Sequence, residues 1–282
     1  MAVRVVTDSI CDMPPNLAQE LDITTVPVYV IFGQKAYRDR VDISEEEFYD
    51  KLLYGSVYPT TSVPSPQDFA DVYNKLAQET DEIISIHAGS KLSGILNSAL
   101  SGTQLVSKKC RIEVLDSKSI SIGLGLSVAA AAKEARAGRN LEQVTQSTHR
   151  AILQIHNRSM ADTLKYAVRS GRLNRAYGLI GTALGVRPIL GLRDGEAFLA
   201  GVARTRAKAL QRMYEFAASF PRVQEIALGY TTGYDDAKIL AQRLKATFPE
   251  APVHIARVCP GVVIYGGPGS LGMAVRELQI DS

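Results

Sequence analysis

Hydroxyl side chains and glycines gather at four points of this 282-residue chain where a strand is expected to end. The segments are Thr7-Asp8-Ser9-Ile10-Cys11-Asp12, Thr60-Thr61-Ser62-Val63-Pro64-Ser65, Gly89-Ser90-Lys91-Leu92-Ser93-Gly94, and the run from Asp116-Ser117-Lys118-Ser119 to Gly123-Leu124-Gly125. Open α/β sheets bind ligands outside the carboxyl ends of their strands, so the placement of these segments weighs more than their composition. Backbone N–H groups at a helix start, with Ser93 beside them and Gly94 permitting close approach, suit a carboxylate or a phosphate. Each segment also has an ordinary explanation. Asp and Ser form turns and cap helices, and Ser65 and Ser93 are natural N-caps. In the second segment a cap needs only Ser65, which leaves hydroxyls unexplained. The glycines of the fourth segment fit close helix packing better than phosphate binding, because no P-loop signature accompanies them.

The familiar catalytic patterns are absent from the sequence. There is no GxSxG elbow for an α/β-hydrolase nucleophile and no HExxH for a metal. His87 and His254 fall in or beside expected strands, where a packed, hydrogen-bonded histidine is the ordinary role. His149 and His156 share a helix without metal-ligand spacing. The Gly266-Gly267-Pro268-Gly269 segment lacks the βα unit that dinucleotide binding requires.

The elements that must position these loops alternate in the first part of the chain. Val3 to Val6 and the β-type run Ile23 to Ile31 read as strands. Ser44-Glu45-Glu46-Glu47 has capping-box spacing and opens a helix through Leu53. Ser65-Pro66 starts another, ending near Ala77. Ile83 to Ile86 and Ile112 to Leu115 are apolar runs of the parallel-sheet kind, and helices are expected over Ser93 to Leu105 and Ser119 to Ala137. After a helix from Leu141 to about His156 the pattern changes. Asp194-Gly195 between two apolar runs reads as a β-hairpin. Helix Thr205 to Phe220, strand Glu225 to Tyr230, helix Tyr234 to Thr247 and strand Val253 to Val258 follow, and Val262 to Leu278 reads as a broken hairpin. The expectation is a two-domain α/β fold: a parallel-sheet domain over residues 1–158 and a mixed-sheet domain over residues 159–282.

The bulk properties narrow the class. Hydrophobic content of 46% and charged content of 22% are those of an ordinary globular protein. A net charge of +3, spread along the chain, gives no basic stripe for nucleic acid. Cys11, Cys110 and Cys259 form neither a CxxC pair nor an even set, so neither a disulfide framework nor a zinc site is expected. No signal peptide and no apolar run long enough for a transmembrane segment are visible, so a cytoplasmic protein is expected.

In order, these segments resemble the DegV family, which includes the fatty-acid-binding subunits of bacterial fatty-acid kinase. The matching pieces are Thr7-Asp8-Ser9, Thr61-Ser62-Val63-Pro64-Ser65, Ser90-Lys91-Leu92-Ser93-Gly94, and Asp116-Ser117 with Gly123-Leu124-Gly125. Thr163-Leu164-Lys165-Tyr166, Ser170-Gly171-Arg172-Leu173, Arg187-Pro188-Ile189-Leu190, Asp194-Gly195, Arg204-Thr205-Arg206 and Gly267-Pro268-Gly269 continue the series over nearly the whole chain.

The resemblance implies a non-catalytic lipid-binding subunit with no cofactor or metal. One long-chain fatty acid would lie in a buried tunnel covered by the second domain. Its carboxylate would be held by Thr61, Ser93, Gly94 and Tyr265, with Ser9, Ser62 and Ser90 in supporting loops. A separate ATP-dependent kinase would phosphorylate that carboxylate, with Arg204 or Arg206 as its contact. Transient membrane contact is compatible with such a carrier. Tyr265 stands where the family usually has His, and Val63 where Gln is common. Leu92, Ile95, Ile122 and Leu184 are candidates for the tunnel wall. Two other readings stay open: a stand-alone hydrolase or phosphotransferase using Ser93, and a carrier for another amphipathic carboxylate.

Overall fold

The first strand, β1 (Arg4–Asp8), sits centrally because its branched residues are buried on both faces. In the computed structural model, which describes residues 2–169, 171 and 185–278, it pairs in parallel with β2 (Ile23–Val26) and with β6 (Glu82–His87). Adding β7 (Arg111–Asp116) gives a four-stranded parallel sheet of order β2-β1-β6-β7. Ile83, Ile84 and Ile86 are fully buried, as expected of a strand covered on both faces.

The run Ile23 to Ile31 is two strands rather than one. Pro27 cannot donate to a ladder, and the next amide, Val28 N, donates to Ser9 Oγ at 3.1 Å. The chain leaves the parallel sheet there and enters β3 (Tyr29–Phe32), which pairs antiparallel with β4 (Lys35–Arg38) and with β5 (Thr60–Ser62). This small sheet carries the second hydroxyl segment as a strand, where a capped turn was expected. The helices α2 (Glu45–Tyr54) and α3 (Pro66–Leu76) flank β5, and both open with complete capping boxes, at Ser44 and Ser65.

Helix α4 (Ile95–Thr103) follows β6, and α5 (Ser121–Arg136) follows β7. A shorter helix, α1 (Pro15–Glu20), follows β1. The chain then passes from α6 (Leu141–Gln154) directly into β8 (Ile155–Met160). β8 belongs to the second sheet, so that sheet begins a few residues ahead of the boundary expected near residue 158. The order there is β10-β9-β8-β13-β11-β12, with β9 (Arg187–Arg193) and β10 (Glu196–Ala203) joined by the expected Asp194-Gly195 turn. Both turn residues have positive φ, 50° and 79°, as a tight hairpin requires. Strands β11 (Val223–Tyr230) and β12 (Val253–Arg257) run parallel, and α8 (Arg206–Ala218) and α9 (Tyr234–Thr247) pack against this sheet.

The carboxyl-terminal stretch does not form the expected hairpin. Pro260 at the first helical turn starts α10 (Pro260–Gly266), Gly267 ends it at a φ of 81°, and β13 (Leu271–Glu277) then inserts between β8 and β11. A second short helix of this region, α7 (Lys165–Arg169), lies against α10.

Helix α5 joins the two halves. Leu124, Val128 and Ala131 belong to the core under the parallel sheet, while Ile122 and Leu126 pack on Ala227, Ala256 and Ala274 of the second sheet. A helix with sheet on both sides needs small residues. A Cβ at Gly125 would overlap the Asp12 carbonyl oxygen, a backbone atom that cannot turn aside. Gly125→Ala is therefore expected to destabilise the fold by about 2 kcal/mol or more, despite alanine's better helix propensity. Urea denaturation checks this, and an equal or higher midpoint would show that the α5 contact relaxes freely.

Candidate functional site

A cavity of about 240 Å³ lies where the loops of the parallel sheet, the small sheet and the second sheet meet. Ile10 and Val28 reach it from the ends of β1 and β2, and Leu92, Ser93 and Ile95 from the start of α4. Ile120, Ser121 and Ile122 come from the start of α5, and Thr61, Ser62 and Val63 from β5 and the turn after it. The second half supplies Ser159, Leu190 and Leu192 from β8 and β9, with Val262 and Tyr265 from α10. Ladder pairing of Ser159 with Leu190 sets those two side by side on the sheet face turned towards α5. The wall is predominantly aliphatic.

Thr61, Ser62, Ser93 and Tyr265 bring hydroxyls to this wall, as do Ser121, Ser159, Thr163, Thr231 and Ser270. Thr61 Oγ1 and Tyr265 OH are hydrogen-bonded to each other across the junction of β5 and α10, although 204 positions separate them in sequence. Register holds Thr61 opposite Val30, and Tyr58 OH donates to the Ile264 carbonyl at 2.6 Å, tying β5 and α10 together. Ser93 Oγ accepts from Ile95 N at 3.4 Å, and no side chain caps α4, whose cap residue is Gly94. Val63 stands beside Gly94, its Cγ1 4.0 Å from where a Cβ of that residue would be. Ser62, Val63 and Gly94 are exposed, which marks this end as the rim.

The other residues singled out in the sequence lie elsewhere. Ser9 is buried under the cavity, donating to Asp39 Oδ2 at 2.8 Å, and Ser90 donates to Asp116 Oδ2 at 2.5 Å on the surface. Arg206 is bound to Asp236, to Asp162 Oδ1 at 3.2 Å and to the Gly269 carbonyl at 2.9 Å, whereas Arg204 is exposed. Leu92, Ile95 and Ile122 line the cavity. Leu184 falls outside the described residues, as do Ser170, Arg172 and Leu173 of the matching motif. None of the described histidines lines the cavity. Among the described residues no group of acidic, histidine or cysteine side chains could hold a metal, and no helix is long and apolar enough to cross a membrane.

Two polar networks under the cavity floor escape a reading of single segments. In the first, His87 Nδ1 meets Asp8 Oδ2 at 2.9 Å, Ser85 Oγ meets His87 Nε2 at 2.7 Å, and Tyr73 OH meets Ser85 Oγ at 2.8 Å. The order Ser-His-Asp resembles a hydrolytic triad. All four residues are buried without access for a substrate, and the serine is engaged by Tyr73. Asp8 instead accepts from Ile10 N at 3.0 Å and Ala88 N at 3.1 Å, and both of those residues are cavity wall. The pairing of Thr7 with Ile86 places Asp8 beside His87, so two residues at strand ends carried the signal.

In the second network, Asp12 accepts from Arg40 Nη2 at 3.0 Å, Ser121 Oγ at 2.6 Å and Cys259 N at 3.0 Å, linking β1, the small sheet, α5 and α10. Asp39 lies beside it, with Oδ2 bonded to Ser9 and Oδ1 buried without a partner. Burial pushes the Asp39 carboxyl up to about 6, against the opposing pull of Arg40. Between its unfolded value of 3.8 and about 6, the folded chain keeps a proton that the unfolded chain has lost. The Asp39 contribution to stability is therefore largest near pH 4, falls as pH rises to 6, and is flat above. The difference in unfolding free energy between wild type and Asp39→Asn, measured by urea titration across this window, should fall accordingly. A pH-independent difference would remove Asp39 as the titrating group.

A family model described as "Uncharacterised protein, DegV family" matches residues 2–278. A DegV domain-containing protein from Caldanaerobacter subterraneus is 37% identical over 278 residues, covering 98% of this chain and 99% of that protein. One from Deinococcus radiodurans is 32% identical over 284 residues, covering 99% and 100%. The structure also matches a DegV family protein from Thermus thermophilus, described as fatty acid binding, with a TM-score of 0.87 and 32% identity over 99% of this chain and 100% of that one. DegV of Bacillus subtilis, described as a fatty acid binding protein, matches with a TM-score of 0.86 and 27% identity, covering 98% and 100%.

Proposed function

Since this chain belongs to the DegV family, we propose that it is a carrier: it buries one long-chain fatty acid in the cavity between its two halves and presents the carboxylate at the rim. The observation that carries the reading is a predominantly aliphatic cavity to which Thr61, Ser93 and Tyr265 bring hydroxyls beside the exposed Val63 and Gly94. A hydrocarbon chain gains about 0.8 kcal/mol for each CH₂ taken from water. A carboxylate is an acceptor only, and hydroxyls with the N–H of Gly94 are donors that satisfy it. The fatty acid binding described for the Thermus thermophilus and Bacillus subtilis proteins supports the same ligand class.

In this reading residues 159–282 cover the acyl chain, while residues 1–158 supply most of the head-group loops. A separate ATP-dependent kinase would phosphorylate the presented carboxylate in the cytoplasm. Exposed Arg204 is the better placed of the two arginines to meet that partner, because Arg206 is occupied by Asp162 and Asp236. Native purification followed by solvent extraction and mass spectrometry tests the carrier. Near-stoichiometric fatty acid is expected. An extract without lipid, together with no binding of added fatty acids, would overturn the reading.

A further inference from the structure

Strand β8 is an inner strand of the second sheet, between β9 and β13, where aliphatic residues are the rule. It reads Ile155-His156-Asn157-Arg158-Ser159-Met160 instead. Side chains alternate along a strand, so Ile155, Asn157 and Ser159 share one face. That face is turned towards α5. Ile155 packs against Ile122, Leu126 and Ala274, and Ala274 is the ladder partner of Asn157. Arg158 is on the opposite face, its guanidinium over Phe216 of α8 at 4.2 Å. Asn157 and Ser159 both line the cavity, among Ile122, Leu190 and Leu192. The asparagine is fitted from the α5 side as well. Its Oδ1 accepts from Ser119 Oγ at 3.3 Å, and a Cβ at Gly123 would overlap both of those atoms, so the glycine admits the pair. A polar couple thus stands in a face that is otherwise apolar and turned to the ligand space.

A plain acyl chain laid over this face displaces water from the Asn157 amide and the Ser159 hydroxyl and offers no hydrogen bond in its place, which is costly. A hydroxyl on the chain is both donor and acceptor. It can accept from the Asn157 amide N–H and donate to Ser159 Oγ. A wall that hydrogen-bonds a ligand hydroxyl discriminates against the analogue lacking it, because its own polar groups are then left unpaired. We propose that the cavity is built for a long-chain fatty acid that carries a hydroxyl group on its acyl chain, with Asn157 and Ser159 as the residues that recognise that group. The proposal rests on the carrier reading and narrows its ligand class, since the carboxylate is still served by Thr61, Ser93 and Tyr265.

The test is competition for the full, delipidated chain with radiolabelled palmitic acid as the probe. The competitors are 10-hydroxystearic, 12-hydroxystearic and 16-hydroxypalmitic acid, each set against its unsubstituted parent, so that the hydroxyl is offered at different depths. At least one hydroxy acid should outcompete its parent by about fivefold or more, the worth of a net hydrogen bond. In the double variant Asn157→Leu with Ser159→Val that preference should reverse, the hydroxy acid falling about tenfold below its parent. Ser159→Ala alone, with a thermal unfolding curve for each variant, separates lost recognition from lost folding. If palmitic acid binds and none of the three outcompetes its parent by that margin, the inference is overturned while the carrier reading stands. A preference that survives in a folded double variant also overturns it, by removing Asn157 and Ser159 as its cause. If neither plain nor hydroxylated acids bind, both readings fall.

Discussion

The double substitution Thr61→Val with Ser93→Ala is expected to weaken fatty acid binding by about a hundredfold or more while leaving the fold intact. Each side chain lines the cavity, and neither is fully buried, so the loss falls on the ligand rather than on the core. Hydrogen bonds to a charged group are worth about 1.5–3 kcal/mol each, so two losses amount to at least about 3 kcal/mol, and each 1.4 kcal/mol is a factor of ten. Thr61→Val keeps the shape of the side chain on β5 and leaves the Ser93 hydroxyl in place, which makes the single variant milder than the pair. Titration with palmitic acid and a parallel thermal unfolding curve separate the two effects. Unchanged affinity in the double variant would move the head group away from this end of the cavity.

Replacement of Asp8 by alanine should produce the largest loss of stability of any single polar substitution near the site. It removes the acceptor for three buried donors at once: Ile10 N, Ala88 N and His87 Nδ1. A buried donor left without a partner costs about 1–3 kcal/mol. The expected total for the three is at least about 3 kcal/mol, a large part of the stability of an ordinary domain. Asp8→Asn retains an acceptor for Ile10 N and should cost roughly half as much. Urea denaturation with an unchanged slope checks both. A loss below about 1 kcal/mol for the alanine variant would mean that water or a local shift satisfies the three donors. The same substitution should also weaken lipid binding, because Ile10 and Ala88 are part of the cavity wall.

The sequence by itself determined the local elements whose causes are local. The capping box at Ser44, the cap residue Ser65 before Pro66, the Asp194-Gly195 turn and the apolar runs of β6 and β7 each carry their own signal within a few residues, and the structure has them where the pattern placed them. The order of hydroxyl segments, read as a family resemblance, pointed to Thr61, Ser93 and Tyr265 before any geometry. The tertiary structure decided what depends on distant partners. Whether Ile23 to Ile31 is one strand or two depends on Ser9 taking the Val28 amide, and whether the chain after Val262 is a hairpin depends on the gap between β8 and β11 that β13 fills. Ser9 and Ser90 look like Ser93 in sequence, yet they bind Asp39 and Asp116 instead of facing the cavity. The networks of Asp8 and Asp12 were invisible for the same reason. A carboxyl group after a strand is an ordinary turn former until packing brings His87, Arg40, Ser121 and the Cys259 amide to it, and those contacts arise only when the sheets and α5 are assembled.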